Sequence, residues 1–288
     1  MFQSTSLNRD KYFNLFLKIN GLFSAFVVFF IFIFLLKESF AAFDRDIFSY
    51  FLDESWFPTE GQFNMAPMII GSLLVTFGSI VIAFPLGLFS ALYISYYCPN
   101  SIRSGFRKVI ELYTGIPSVI FGFWGLMKVV PIINEINPPG QSLIAGIIIL
   151  ALMIFPIISL SLVAAFEMSS KTDYNVSRSL NIRKSKYIWV ILLPSLKKQI
   201  VGSVFLSLGR AIGETMAVLM VCGNIVQIPE SIFSPIRTLT ANIALEMSYA
   251  MGVHRSSLFL TGLLLLIIII IFFFISDMIQ KIGERWSF

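Results

Sequence analysis

The chain has 288 residues, 57% of them hydrophobic and only 13% charged, with a formal net charge of +5. Its apolar residues gather in runs long enough to cross a bilayer, whose hydrocarbon core of about 30 Å needs roughly 20 helical residues. A water-soluble fold is excluded, because a chain of this size cannot bury 30 phenylalanines together with runs such as Leu263 to Ile275. Cys98 and Cys222 have no paired spacing that would indicate a disulfide framework or zinc site, and the single histidine, His254, excludes a histidine metal cluster. His254 is read as a loop or interface residue.

The fold class is all-α, a polytopic membrane protein with six transmembrane helices. Residues 1–18 form a basic segment with Arg9, Lys11 and Lys18, and residues 19–36 the first span. No small-residue processing motif follows that span, so it reads as a retained helix and not a cleaved leader. Residues 37–67 turn polar, acidic and aromatic, with Asp44, Asp46, Asp53, Glu54 and Glu60 beside Trp56 and Phe57, as an external loop near the interface would. A five-helix core is expected over residues 68–276, with spans at Met68–Tyr97, Val109–Val130, Gln141–Phe166, Gln199–Gly223 and Ser257–Ser276. Residues 277–288 form a tail. Pro85, Pro117 and Pro156 fall inside these spans, where proline kinks a helix without ending it if neighbours satisfy the freed carbonyls. Gly115, Gly122 and Gly125 make the third span suited to close helix approach or local unwinding.

Fifteen of the 21 lysines and arginines fall on one side of this topology, five on the other, and Arg210 lies within a span. The positive-inside rule then predicts that both termini are cytoplasmic, which accounts for the basic charge without invoking nucleic acid. The largest cytoplasmic connection, residues 167–198, reads as a helix, a break near Asn181 and a second helix. Asn175, Val176 and Ser177, then Asn181, then Ile191 to Pro194 have the spacing of the coupling loop of importer permeases. Such a loop would present an amphipathic helix to a groove on a soluble ATPase, with Leu180, Ile182, Tyr187 and Ile188 as apolar contacts and Arg178, Arg183, Lys184 and Lys186 around them. A basic loop resting on anionic lipid is the plain alternative. The chain lacks a Gly-x-x-x-x-Gly-Lys-Ser/Thr loop, so ATP and Mg are expected on a separate ATPase and no cofactor or metal on this chain.

The stretch Gly209-Arg210-Ala211-Ile212-Gly213-Glu214-Thr215-Met216-Ala217-Val218 and the closing Gly223-Asn224 resemble the signature of PstC-type phosphate permeases. Gln227-Ile228-Pro229, Arg237-Thr238-Leu239-Thr240, Ile243 to Met247, Gly115-Ile116-Pro117-Ser118 and Pro58 to Phe63 are similar to the same family, so the resemblance covers most of the chain between about residues 57 and 262. In importer permeases generally the coupling loop carries Glu and Gly where this chain has Asn175 and Asn181; asparagine retains access to the left-handed backbone that the break needs.

The resemblance implies a MetI-like importer permease that translocates phosphate across the inner membrane. It also implies a PstA-type permease partner, a PstB-type ATPase dimer and a periplasmic phosphate-binding protein, with membrane lipid around the chain. Arg210, Glu214, Thr215 and Ser118 are the candidate pathway residues, and Asn175, Ser177, Leu180, Asn181, Ile182, Arg183, Lys184 and Pro194 the candidate coupling residues. Arg237, Thr238 and Glu246 are candidates for an outer gate or receptor contact. Spaced four residues apart, Arg210 and Glu214 would share one helix face. A sulfate or molybdate permease is the nearest alternative, and an ion-gradient-driven transporter a more distant one.

Overall fold

A computed structural model describes residues 3–43, 48–52, 55–168 and 171–285. Asp44, Arg45, Asp46, Asp53 and Glu54 of the expected acidic loop lie outside the described residues. The described secondary structure is helical apart from one two-residue hairpin. Among the described residues five helices are long and apolar enough to cross a membrane, and a bent pair, taken as one span, makes a sixth.

Helix α1 (Gln3–Glu38) is followed by the antiparallel hairpin β1 (Trp56–Phe57) and β2 (Gln62–Phe63), whose turn ends on Gly61 in the left-handed region. Helix α2 (Ala66–Tyr97) then crosses the molecule. Its partner α5 (Leu143–Met168) packs along it as the central pair of the core. Gly87 permits that approach, since a Cβ there would lie 2.8 Å from Ile158. Both helices run unbroken through their prolines, Pro85 in α2 and Pro156 in α5. Val75, Leu150, Ile154, Ile158 and Leu162 form the dry interior between them.

Pro117 behaves differently. Helix α3 (Asn100–Thr114) stops before Gly115, and Pro117 precedes α4 (Ser118–Ile136) in an extended conformation. The third crossing is therefore α4, and the expected span at Val109–Val130 is corrected. Residues 100–114 form a separate amphipathic helix with no buried residue, tied to the end of α5 by the Arg107–Glu167 ion pair. The physical reason is that a residue preceding proline is forced out of the helical region, and Gly115 supplies no side chain to hold the turn. Gly122 and Gly125 serve close packing: a Cβ on Gly122 would meet the Ala217 main chain at 2.9 Å, and one on Gly125 would meet Ile149 at 2.7 Å.

Past α5 come α6 (Lys171–Ser179) and α7 (Lys184–Ser195), after which the chain turns through 69° into α8 (Lys197–Ile212). The short α9 (Met216–Val221) continues toward the opposite end, where a loop leads to α10 (Leu239–Glu246) and the long α11 (Gly252–Arg285). Helices α1 and α11 pack together at Phe34 and Phe259. The end holding residues 97–108 and 167–198 is termed the basic end, and the opposite one, holding the hairpin and α10, the far end. A second apolar cluster there gathers Tyr50, Trp56, Phe63, Met65, Met68, Leu239 and Leu258. The outer faces of α1 and α11 carry exposed Phe, Leu and Ile side chains, as helices in contact with lipid or partner helices do.

Candidate functional site

Three groups of residues stand out, one in mid-span and one at each end.

Arg210 lies 13 residues into α8, about 20 Å from its start at the helical rise. Its side chain is exposed, and no carboxylate pairs with it among the described residues. It borders a cleft of about 540 Å³ whose other walls are Thr114, Ile157, Leu160, Ser161, Leu206, Gly209, Ile269 and Phe273. A permanently charged guanidinium among such neighbours is costly in lipid and calls for water, an anion or a partner. The expected sharing of one helix face with Glu214 is corrected here: α8 ends at Ile212, and α9 begins only at Met216. Between them, the Glu214 amide bonds to the Ala211 carbonyl, the Thr215 hydroxyl to the Gly213 carbonyl, and the Glu214 carbonyl accepts from the Thr240 hydroxyl at 2.9 Å. The break wins because Gly213 is a weak helix former and an outside donor replaces a lost helical bond. Thr114 reaches the cleft although its hydroxyl bonds back to the Glu111 carbonyl, whereas Ser118 begins α4 without lining it.

At the basic end, α6 closes in a Schellman motif. The Ile182 amide bonds to the Ser177 carbonyl at 2.9 Å and the Asn181 amide to the Arg178 carbonyl at 3.0 Å, with Asn181 at φ +55°. The expected break is thus at Asn181. Asn175, Leu180, Arg183 and Pro194 are exposed, Ile182 and Lys184 half-buried, and Ser177 is buried with its hydroxyl on the Tyr174 carbonyl. Tyr187 and Ile188 are buried within the chain, so they are not surface contacts; the apolar surface comes instead from Val176, Leu180, Trp189 and Val190. Periodicity could not reveal this, because Tyr96, Tyr174 and Tyr187 meet from three separate helices, edge-on or tilted, with ring centroids 5.3 to 6.3 Å apart. Lys184 also points inward, its ammonium on the Tyr96 carbonyl and over the Tyr97 ring.

At the far end, Glu246 is 6% exposed and gathers three partners. Arg237 donates to Oε1 at 2.6 Å, the Trp56 indole donates to Oε2 at 2.8 Å, and His254 Nε2 lies 2.8 Å from Oε2. Arg237 further donates to the Asn224 carbonyl and to Asn242 Oδ1, with Asn224 itself at φ +55°. Burial, with the Glu246 carboxylate second, pushes the nearby Tyr249 phenol above its ordinary range. Thr238 caps α10, accepting from the Ala241 amide. The cluster therefore brings Arg237 and Glu246, both candidates for an outer gate or receptor contact, together in space, and buries the Glu246 and Thr238 side chains within the chain. Trp56 and His254 were not legible as members, since they meet Glu246 from the hairpin and from the start of α11.

Residues 83–286 match the family model for the binding-protein-dependent transport system inner membrane component. The chain belongs to that family. The permease is 31% identical over 248 residues to the phosphate transport system permease protein PstC of Pasteurella multocida, covering 79% of this chain and 77% of that one. It is 32% identical to PstC of Mesorhizobium japonicum, covering 75% and 73%. With the probable ABC transporter permease protein YqgH of Bacillus subtilis it shares 36% over 216 residues, 73% of this chain and 70% of that one. Its fold is similar to an inward-facing MetNI methionine ABC transporter, at a TM-score of 0.58 with 18% identity, covering 76% of this chain and 94% of that one. The permease is thus a multi-pass inner-membrane subunit of PstC type, working with an ATPase and a binding protein and not itself the ATPase.

Proposed function

We propose that the permease translocates inorganic phosphate, with a PstA-type permease completing the pathway, a PstB-type ATPase dimer at the basic end and a periplasmic phosphate-binding protein at the far end. The observation that carries this reading is Arg210, an unpaired guanidinium bordering a cleft at mid-span, immediately before a helix break. A guanidinium offers a planar fork of donors that suits phosphate oxygens, and with no carboxylate paired to it among the described residues it has donors free for a passing anion. Glu214, one turn on but off the helix, limits how tightly the site holds an anion by its negative charge; a pathway must release what it attracts. Thr114 adds a hydroxyl to the wall of the cleft, and Thr215 lies in the break beyond it.

The orientation follows from charge: the basic end faces the cytoplasm, with both termini there. The exposed Val176 and Leu180 beside the Asn181 break form the surface for the ATPase groove, and Arg183 frames it. Asn175 stands exposed where the family has Glu, so docking here relies on apolar contact more than on a carboxylate. At the far end, Arg237, Thr238 and Glu246 act as an internal tie of the outer gate. The test is phosphate uptake by reconstituted complexes. Arg210→Lys keeps the charge, loses the fork and is expected to lower uptake about tenfold, near 1.4 kcal/mol. Arg210→Ala should abolish it with assembly intact; normal uptake by a fully assembled Arg210→Ala complex would overturn the reading, and selective uptake of sulfate over phosphate would replace the substrate.

A further inference from the structure

Helix α10 is tied at both ends by side chains remote in sequence. Its last residue, Glu246, holds the hairpin through Trp56 and the start of α11 through His254. Its first turn carries a directed chain of hydrogen bonds. The Ala241 amide donates to the Thr238 hydroxyl, the Thr238 and Thr240 hydroxyls lie 3.2 Å apart, and the Thr240 hydroxyl donates to the Glu214 carbonyl. An amide can only donate and a carbonyl only accept, so both hydroxyl protons must point toward Glu214. Both threonines are buried, at 3% and 7% exposure, and aligned bonds of this kind strengthen one another in a dry site. The end of the chain is the break between α8 and α9, where the lost helical turn leaves a carbonyl that Thr240 satisfies from outside.

The two anchors lie six residues apart on one rigid helix, about 9 Å by helical rise. Leu239 adds a third tie, its amide donating to the Ser72 hydroxyl of α2 at 2.9 Å. Neither end has slack: the Asn242 side chain is fully buried and held by Arg237, and Arg237 is held by Glu246.

We infer that α10 is a positioning strut, tied at one end by Thr240 to the Glu214 carbonyl and at the other by Glu246 to Trp56, which sets the Glu214 break against the cleft from the outer hairpin. Neither Thr240 nor Trp56 touches the transported anion; each acts through the strut. The inference rests on the reading that the break beside Arg210 belongs to the translocation pathway. Misplacing the break slows passage of the anion while leaving capture by the binding protein intact, so turnover falls and the apparent KM holds.

The experiment compares Thr240→Val, Thr240→Ser, Trp56→Phe, the Thr240→Val/Trp56→Phe double variant and Arg210→Ala in reconstituted complexes, reading uptake against loaded binding-protein concentration. Loss of one buried hydrogen bond is expected to lower turnover about fivefold in Thr240→Val and in Trp56→Phe. Thr240→Ser restores the hydroxyl and should return turnover to near that of the unmodified complex. Because both changes disable the same strut, the double variant should also fall only about fivefold, whereas independent local defects would multiply to roughly 25-fold. Multiplicative loss, unmodified turnover in either single variant, or no rescue by serine would each overturn the strut. Should Thr240→Val fail to assemble, Trp56→Phe decides alone, and unmodified turnover there overturns it. An active Arg210→Ala complex removes the pathway reading itself, while an inactive one beside a fully active Thr240→Val complex removes the strut only.

Discussion

The two ends of the permease treat their chemistry in opposite ways. At the far end the buried carboxylate is answered within the chain: Glu246, nearly fully buried, has Arg237, Trp56 and His254 on its two oxygens. At the basic end Val176, Leu180, Trp189 and Val190 are each more than half exposed. Burying a carboxylate without partners is prohibitive, so a buried charge cluster has to be complete inside the subunit. Exposed leucine and tryptophan carry no such requirement and can wait for a partner surface to remove them from water. One end is thus completed by the fold and the other, on the proposed docking, by assembly, and substitutions at the two should separate along that line.

The largest effect belongs to the complete end. Glu246→Ala strands a mostly buried guanidinium and an indole donor and is expected to cost about 3 to 5 kcal/mol. Thermal unfolding of the purified complex should drop by roughly 6 °C or more; an unchanged midpoint would mean that the cluster is not integral to the fold. Next comes the waiting end. Leu180→Asp leaves the isolated subunit's stability within about 0.5 kcal/mol, because the side chain is 68% exposed there. Its ATPase should bind roughly 10- to 100-fold more weakly, the worth of one buried leucine. Titration of the ATPase onto the permease pair measures this, and unaltered binding would relocate the docking surface. The smallest effect sharpens the boundary between the two. Asn181→Val places a β-branched residue at φ +55° and should cost about 1 to 2 kcal/mol, seen as local loss of hydrogen-exchange protection in α6, with Asn181→Gly near neutral. Equal protection in the valine variant would show that α6 does not depend on its left-handed close.

How far each feature was legible follows from the range of the interaction that makes it. The break at Asn181 is local, a Schellman close in which every bond spans five residues or fewer, and the residue types alone indicated it. The stop after Ile212 is only half local: Gly213 weakens the helix, but the donor that accepts the interruption, Thr240, is 26 residues away. Spacing alone therefore put Arg210 and Glu214 on one face, where the structure separates them. Tyr187 and Ile188 read as surface residues of an amphipathic helix, but Tyr96 and Tyr174 cover Tyr187 from other helices and Ile188 joins the main apolar core. The third span shifted because Pro117 caps a helix here, while Pro85 and Pro156 sit inside theirs; only the packing of α2 on α5 decides which prolines are carried through.

Hydrophobic run length and charge asymmetry are properties of the chain read in order, and they determined by themselves a polytopic helical membrane protein with one basic side; the resemblance of the Gly209 to Val218 stretch to a permease family was legible in the same way. The Glu246 cluster, the Thr240 tie to the Glu214 carbonyl and the cleft beside Arg210 were decided only by tertiary structure. Each joins residues separated by 8 to 190 positions. No local preference specifies such a meeting: the free energy of a buried hydrogen bond depends on what the fold places opposite each donor, and that becomes determinate only once the helices are packed.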